Sequence, residues 1–69
     1  MVSYKLYRSA DAEGFVDLVL HLYRGHDLAS VTTIATAAPR LAVRIFMEAR
    51  AHLRSLGIPE ASTTALGAA

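Results

Sequence analysis

Between Phe15 and Tyr23 seven of nine residues are apolar, and only Asp17 and His21 interrupt the run. A chain of 69 residues has little material with which to cover such a segment. Read as a helix from Ala12 to Arg24, at about 100° per residue, the segment places Asp17, His21 and Arg24 on one narrow polar stripe. Phe15, Val16, Leu18, Val19, Leu20, Leu22 and Tyr23 then fill an arc of about 200°. A surface helix needs an apolar stripe of only about 100° to face its core. The surplus predicts that this helix touches its own sheet on one flank and a partner on the other. Val16, Leu20 and Tyr23 are the candidate oligomer interface.

The neighbouring segments supply the rest of the expected fold. Residues 2 to 8 alternate, with Val2, Tyr4 and Leu6 on one face and Ser3, Lys5 and Tyr7 on the other, which predicts a strand. Ser9 or Asp11 can cap the following helix, and Gly25 fits a left-handed stop after it. Gly25-His26-Asp27 reads as a turn. Leu28 to Thr36 is β-branched and uncharged, which predicts a second strand buried on much of both faces. Strand, helix and strand make a β-α-β unit with a right-handed crossover and parallel pairing. Pro39 marks the start of a second helix that runs to Leu56, and Gly57 ends it. Leu41, Ala42, Ile45, Phe46, Ala49, Leu53 and Leu56 gather on one side of that helix. Arg40, Arg44, Arg50 and Arg54 gather on the other, within an arc of about 120°.

The expected class is therefore α/β (α+β): a β-α-β-α unit, a small parallel sheet packed on two helices, completed by oligomerisation. Residues 1–58 form the single domain and 59–69 a flexible tail. With 54% hydrophobic residues the chain is not disordered as a whole. The longest apolar stretch, Phe15 to Leu22, falls short of the roughly 20 residues of a membrane span. No secretory signal is evident, and the absence of cysteine excludes disulfides and thiolate metal sites. A cytoplasmic setting is expected. The net charge of +1 argues against a uniformly basic coat protein but leaves room for a local basic face.

The order β-α-β-α, together with Ile34 to Arg50, resembles the Alba-like superfamily, in particular its stage V sporulation protein S group. The resemblance rests on a small-residue turn after the second strand, then Ala42-Val43-Arg44, then Ala49-Arg50. It implies a dimeric or higher non-catalytic module that binds DNA or RNA or acts in regulation. The loop after the first strand is Arg8-Ser9-Ala10-Asp11, where Alba-type DNA binders carry lysine. The family's closing β-hairpin has no counterpart of sufficient length here, which adds to the expectation of an assembly partner.

Among candidate sites the four arginines stand out. Arg40, Arg44, Arg50 and Arg54 could neutralise phosphates along a nucleic-acid backbone. Equally, they could form a solvated face with Arg44 pairing Glu48, or meet acids on a neighbouring subunit. Asp17 and His21 sit one helical turn apart, but a metal would want a third ligand, and a surface hydrogen bond is the simpler expectation. The turn Thr36-Ala37-Ala38-Pro39-Arg40 is expected to be closed by Thr36 capping. His52 borders the apolar side and is expected to pack there. No phosphate loop, nucleophile elbow or metal-helix motif is present, so no catalytic residue, cofactor or metal is assigned. The expected function is nucleic-acid binding or regulation by a homo-oligomer. The alternative is a structural subunit that docks its first helix on itself or on a larger protein, with no membrane involved.

Overall fold

The leucines at 18, 20 and 22 recur at every second position, and this period, rather than a helical one, governs the middle of the chain. A computed structural model describes residues 1–61. Strand β1 spans Val2–Ala10, β2 Val16–Arg24 and β3 Asp27–Ala37, and helix α1 spans Pro39–Ser55. The sheet order is β1-β2-β3, and both pairings are antiparallel.

This corrects the expected class. The architecture is β-β-β-α, a three-stranded antiparallel meander followed by one helix, not a parallel sheet on two helices. The segment expected to be the first helix is β2, so no crossover exists. On a helical wheel, alternating leucines spread around most of the circumference. On a strand they all point to one side, and Asp17, Val19, His21 and Tyr23 point to the other. The three residues expected at an oligomer interface do not share one flank. Val16 and Leu20 lie on the helix-facing side of β2 and are half-buried, whereas Tyr23 lies on the opposite face.

The residues that suggested helix ends shape turns instead. Asp11 caps the loop between β1 and β2: its Oδ1 accepts the Glu13 N–H at 2.8 Å and the Phe15 N–H at 3.0 Å. The Gly14 N–H donates to the Asp11 carbonyl at 3.1 Å, and Gly14 has φ of 90°. Between β2 and β3, Arg24 pairs with Asp27, leaving Gly25-His26 as a two-residue turn. Gly25 has φ of 63° and, among the described residues, none but glycine has positive φ, the pattern of a type II′ hairpin.

Helix α1 begins as its proline indicates. Ala38 is the N-cap and makes no side-chain cap bond; Pro39 follows, its missing N–H costing nothing in the first turn. Thr36 therefore does not cap the helix. The other end is a Schellman closure, in which Gly57 N–H donates to the Arg54 carbonyl at 3.0 Å and Ile58 N–H to the Leu53 carbonyl at 3.1 Å. Gly57 takes the left-handed φ of 78° that this closure requires.

Helix α1 packs across β2 and β3 on one face of the sheet. The core is Tyr4, Leu18, Ala37, Ala42 and Leu53, with Leu18 wholly enclosed. Ile45, Phe46 and Ala49 are half-buried, while Leu41 and Leu56 remain exposed at the rim. Strand β3, expected to be covered on both faces, is exposed along nearly all its length, because it is an edge strand and the helix covers only its end. Pro59, Glu60 and Ala61, expected to belong to a loose tail, return to the outer edge of β1. The Tyr4 N–H donates to the Pro59 carbonyl at 3.1 Å and the Ala61 N–H to the Tyr4 carbonyl at 2.7 Å. The remainder of the expected tail, residues 62–69, lies outside the described residues.

With so small a core, truncation at its centre is costly. Leu18→Ala is expected to lower unfolding free energy by about 2–5 kcal/mol, read as a shifted urea midpoint by circular dichroism. Gly25→Ala should cost about 1–2 kcal/mol through its left-handed backbone. An unchanged midpoint in Leu18→Ala would contradict this account of the core.

Candidate functional site

The arginines of α1 fall into two environments. Helix geometry sets Arg40, Arg44 and Arg54 on the side opposite Ala42 and Leu53, and all three are exposed. From Arg40 to Arg54 they span about 21 Å of helix axis. Met47 and Ala51 lie between them, both exposed. The only acid on the helix is Glu48, one turn beyond Arg44. Arg44 and Glu48 form no ion pair within 4.0 Å; among the described residues the one ion pair joins Arg50 to Glu60.

Arg50 belongs to the seam between helix and sheet. Its Nε lies 3.7 Å from Glu60 Oε2. That distance is too long for a hydrogen bond, and the Nε is closed to solvent without another partner. The guanidinium carbon of Arg50 lies 6.0 Å from the Phe46 ring centroid, and that of Arg8, reaching over from β1, lies 5.2 Å from it. Arg50 thus packs against Phe46 and Glu60, apart from the other three arginines. Sequence pattern alone could not separate it, because Glu60 arrives from beyond the helix and Arg8 from the first strand. Arg8, Ala10 and Val16 also meet Pro39, Ala42 and Val43 around a shallow open groove of about 360 Å³.

The sheet face away from α1 carries a different set. The Tyr7 and His21 rings lie 4.5 Å apart between centroids, and His21 and Tyr23 lie 6.4 Å apart. Lys5 pairs across the strands with His21. The Tyr23 phenol is held above its usual ionisation range, first by hydrogen bonding with Tyr7, then by desolvation and by repulsion from the Tyr7 phenolate. Asp17, one strand-step pair from His21, accepts the Thr36 hydroxyl at 2.6 Å. Asp17 and His21 therefore share a face but have separate partners. Among the described residues no group of three or more His, Cys, Asp or Glu side chains converges as a metal site would require.

His52 is exposed rather than packed on the apolar side, and its carbonyl accepts the Ser55 hydroxyl at 2.6 Å. Together with Arg54 it sits in the last turn of α1, where positive charge complements the helix dipole. Among the described residues no helix is long and apolar enough to cross a membrane.

No protein-family model, curated protein or solved structure matches this chain.

The Tyr7–Tyr23 contact has a titration signature. Tyr7→Phe should lower the Tyr23 ionisation toward the ordinary tyrosine value, followed by phenolate absorbance in the folded protein. The raised folded-state value means that the contact favours the fold below pH of about 10 and ceases to do so as Tyr23 ionises above it. An unmoved Tyr23 transition in Tyr7→Phe would contradict the assigned cause.

Proposed function

We propose that the chain is a non-catalytic module that binds the phosphate backbone of DNA or RNA through the outer face of α1, with Arg40, Arg44 and Arg54 as the contacts. The observation that carries the reading is the pairing pattern on the helix. These three guanidiniums are exposed and without an acidic partner among the described residues, whereas the fourth is occupied by Glu60 and Phe46.

Elementary electrostatics supports it. A row of arginines on a rigid helix presents planar donors suited to phosphate oxygens. Each phosphate neutralised releases counterions, so affinity falls steeply with salt. The acids lie elsewhere: Asp11 and Glu13 in the first loop, Asp17 on the opposite sheet face, Asp27 at the hairpin and Glu60 beside Arg50. Only Glu48 shares the helix. The aromatic rings that would stack unpaired bases lie on the far side of the sheet, so this face reads backbone rather than sequence. The cysteine-free sequence fits a reducing cytoplasmic setting.

The test is a titration of labelled duplex and single-stranded DNA and RNA at several salt concentrations. Binding should weaken with salt, and Arg44→Ala and Arg54→Ala should each reduce the salt slope by about one. Arg50→Ala should leave the slope unchanged. Absence of binding at low salt would overturn the reading and leave a purely structural subunit, whose arginines are a solvated face.

A further inference from the structure

The two edges of the sheet are managed very differently. An edge strand exposes a row of unpaired N–H and C=O groups, and proteins blunt such edges with charge, proline, bulges or a covering segment. The β1 edge has two of these devices: Lys5 and Arg8 lie along it, and Pro59 to Ala61 covers it at Tyr4. The β3 edge has no strand beside it among the described residues. It also carries no charge and no proline from Leu28 to Ala37. Its one such device is a pair of bulges, where the register against β2 shifts and leaves Ala29 and Ile34 as extra residues; Ser30 to Thr33 between them is regular and has none.

We infer that the β3 edge is a self-pairing surface whose occupant is a second copy of this chain, docked antiparallel through Ser30–Thr33. Self-pairing follows from the chemistry of the edge. A charged edge laid against itself sets like charges opposite each other, which destabilises the pair. This edge is neutral, so a two-fold relation carries no such penalty. Cross-strand neighbours must have side chains on the same face, so the two-fold axis passes through a residue, either Val31 or Thr32, and stands normal to the sheet. Val31, inside the docked stretch, is 55% exposed, and an incoming strand covers it. The monomer needs that cover, because its own core comprises only five buried apolar side chains among the described residues.

The resulting assembly joins two three-stranded sheets into one continuous antiparallel sheet. An axis normal to the sheet keeps both copies of α1 on the same side. The arginine faces of the two helices then lie in one layer. Dimerisation does not rest on nucleic-acid binding, and either can fail alone.

Sedimentation of the full chain at micromolar concentration should give twice the 7.4 kDa monomer mass. The double variant Val31→Lys/Thr33→Lys sets ammonium groups opposite one another in either register and should sediment as a folded monomer, with circular dichroism confirming the fold. Because the sequence has no cysteine, single-cysteine variants report the register even if the lysine variant unfolds. Paired residues across an antiparallel ladder are about 4.5–5.5 Å apart at Cα, within disulfide reach. Val31→Cys or Thr32→Cys should therefore crosslink on mild oxidation, and Ser9→Cys, at the far edge, should not. A wild-type monomer, a folded lysine variant that remains dimeric, failure of both cysteine variants to crosslink, or equal crosslinking through Ser9→Cys would each overturn the inference. None of these results bears on the salt titration, so the two readings are judged separately.

Discussion

Everything in this small fold is arranged around one row of leucines meeting one stripe of a helix. Leu18, Leu20 and Leu22 point from the central strand toward α1, with Tyr4 and Leu6 beside them on β1. Small residues, Ala37 below and Ala42 above, are buried at the contact. Only the middle strand has neighbours on both edges and a helix over one face, which is why Leu18 alone is wholly enclosed. Burial then falls off toward β3, whose far edge has neither strand nor helix beside it among the described residues. Among the described residues the sheet has a single cover, and its second face carries Lys5, Tyr7, Asp17, His21 and Tyr23 together with the aliphatic Val19, Leu28 and Val31.

On that second face the titratable residues are engaged with neighbours in the sheet. Asp17 spends its carboxylate on the Thr36 hydroxyl, tying β2 to β3. His21 lies between two tyrosine rings. Asp17–Thr36 is a direct cross-strand pair and Tyr7–His21 a diagonal one, contacts of the kind that stabilise antiparallel sheets, while Tyr23 is a neighbour of His21 on the same strand. Arg40, Arg44 and Arg54, on the other hand, stand on the outer side of α1. Three of the helix arginines and the Tyr7–His21–Tyr23 cluster thus lie on opposite layers of the molecule.

Three of the four elements were legible in the residues, but the topology was not. Alternation of Val2, Tyr4 and Leu6 marks β1, the β-branched run marks β3, and Pro39 and Gly57 bracket α1. The middle segment misled because an apolar arc of about 200° on a helical wheel is what a period-two row of leucines produces when folded at the wrong period. Two local signals favoured the strand: Gly25-His26 as a two-residue link between β-rich runs, and Gly14 just before the apolar stretch. Asp11 misled for a related reason. The oxygen that caps a helix by taking backbone N–H groups caps a tight loop by the same bonds. Among the candidate sites, the exposure of Arg40, Arg44 and Arg54 follows from helix periodicity. The withdrawal of Arg50 does not, since its partners come from distant parts of the sequence.

The return of Pro59 to Ala61 onto Tyr4 bears on how the molecule assembles itself. This contact ties the opening strand to residues beyond the helix, so it closes a loop containing nearly the whole described chain. Closing so large a loop carries more entropy than either hairpin, each of which links adjacent strands. The meander is built from local contacts, whereas the clasp at Tyr4 requires α1 to deliver the segment to the sheet. Because Tyr4 also belongs to the core, the clasp joins the far end of the chain to the same packing that the leucine row builds.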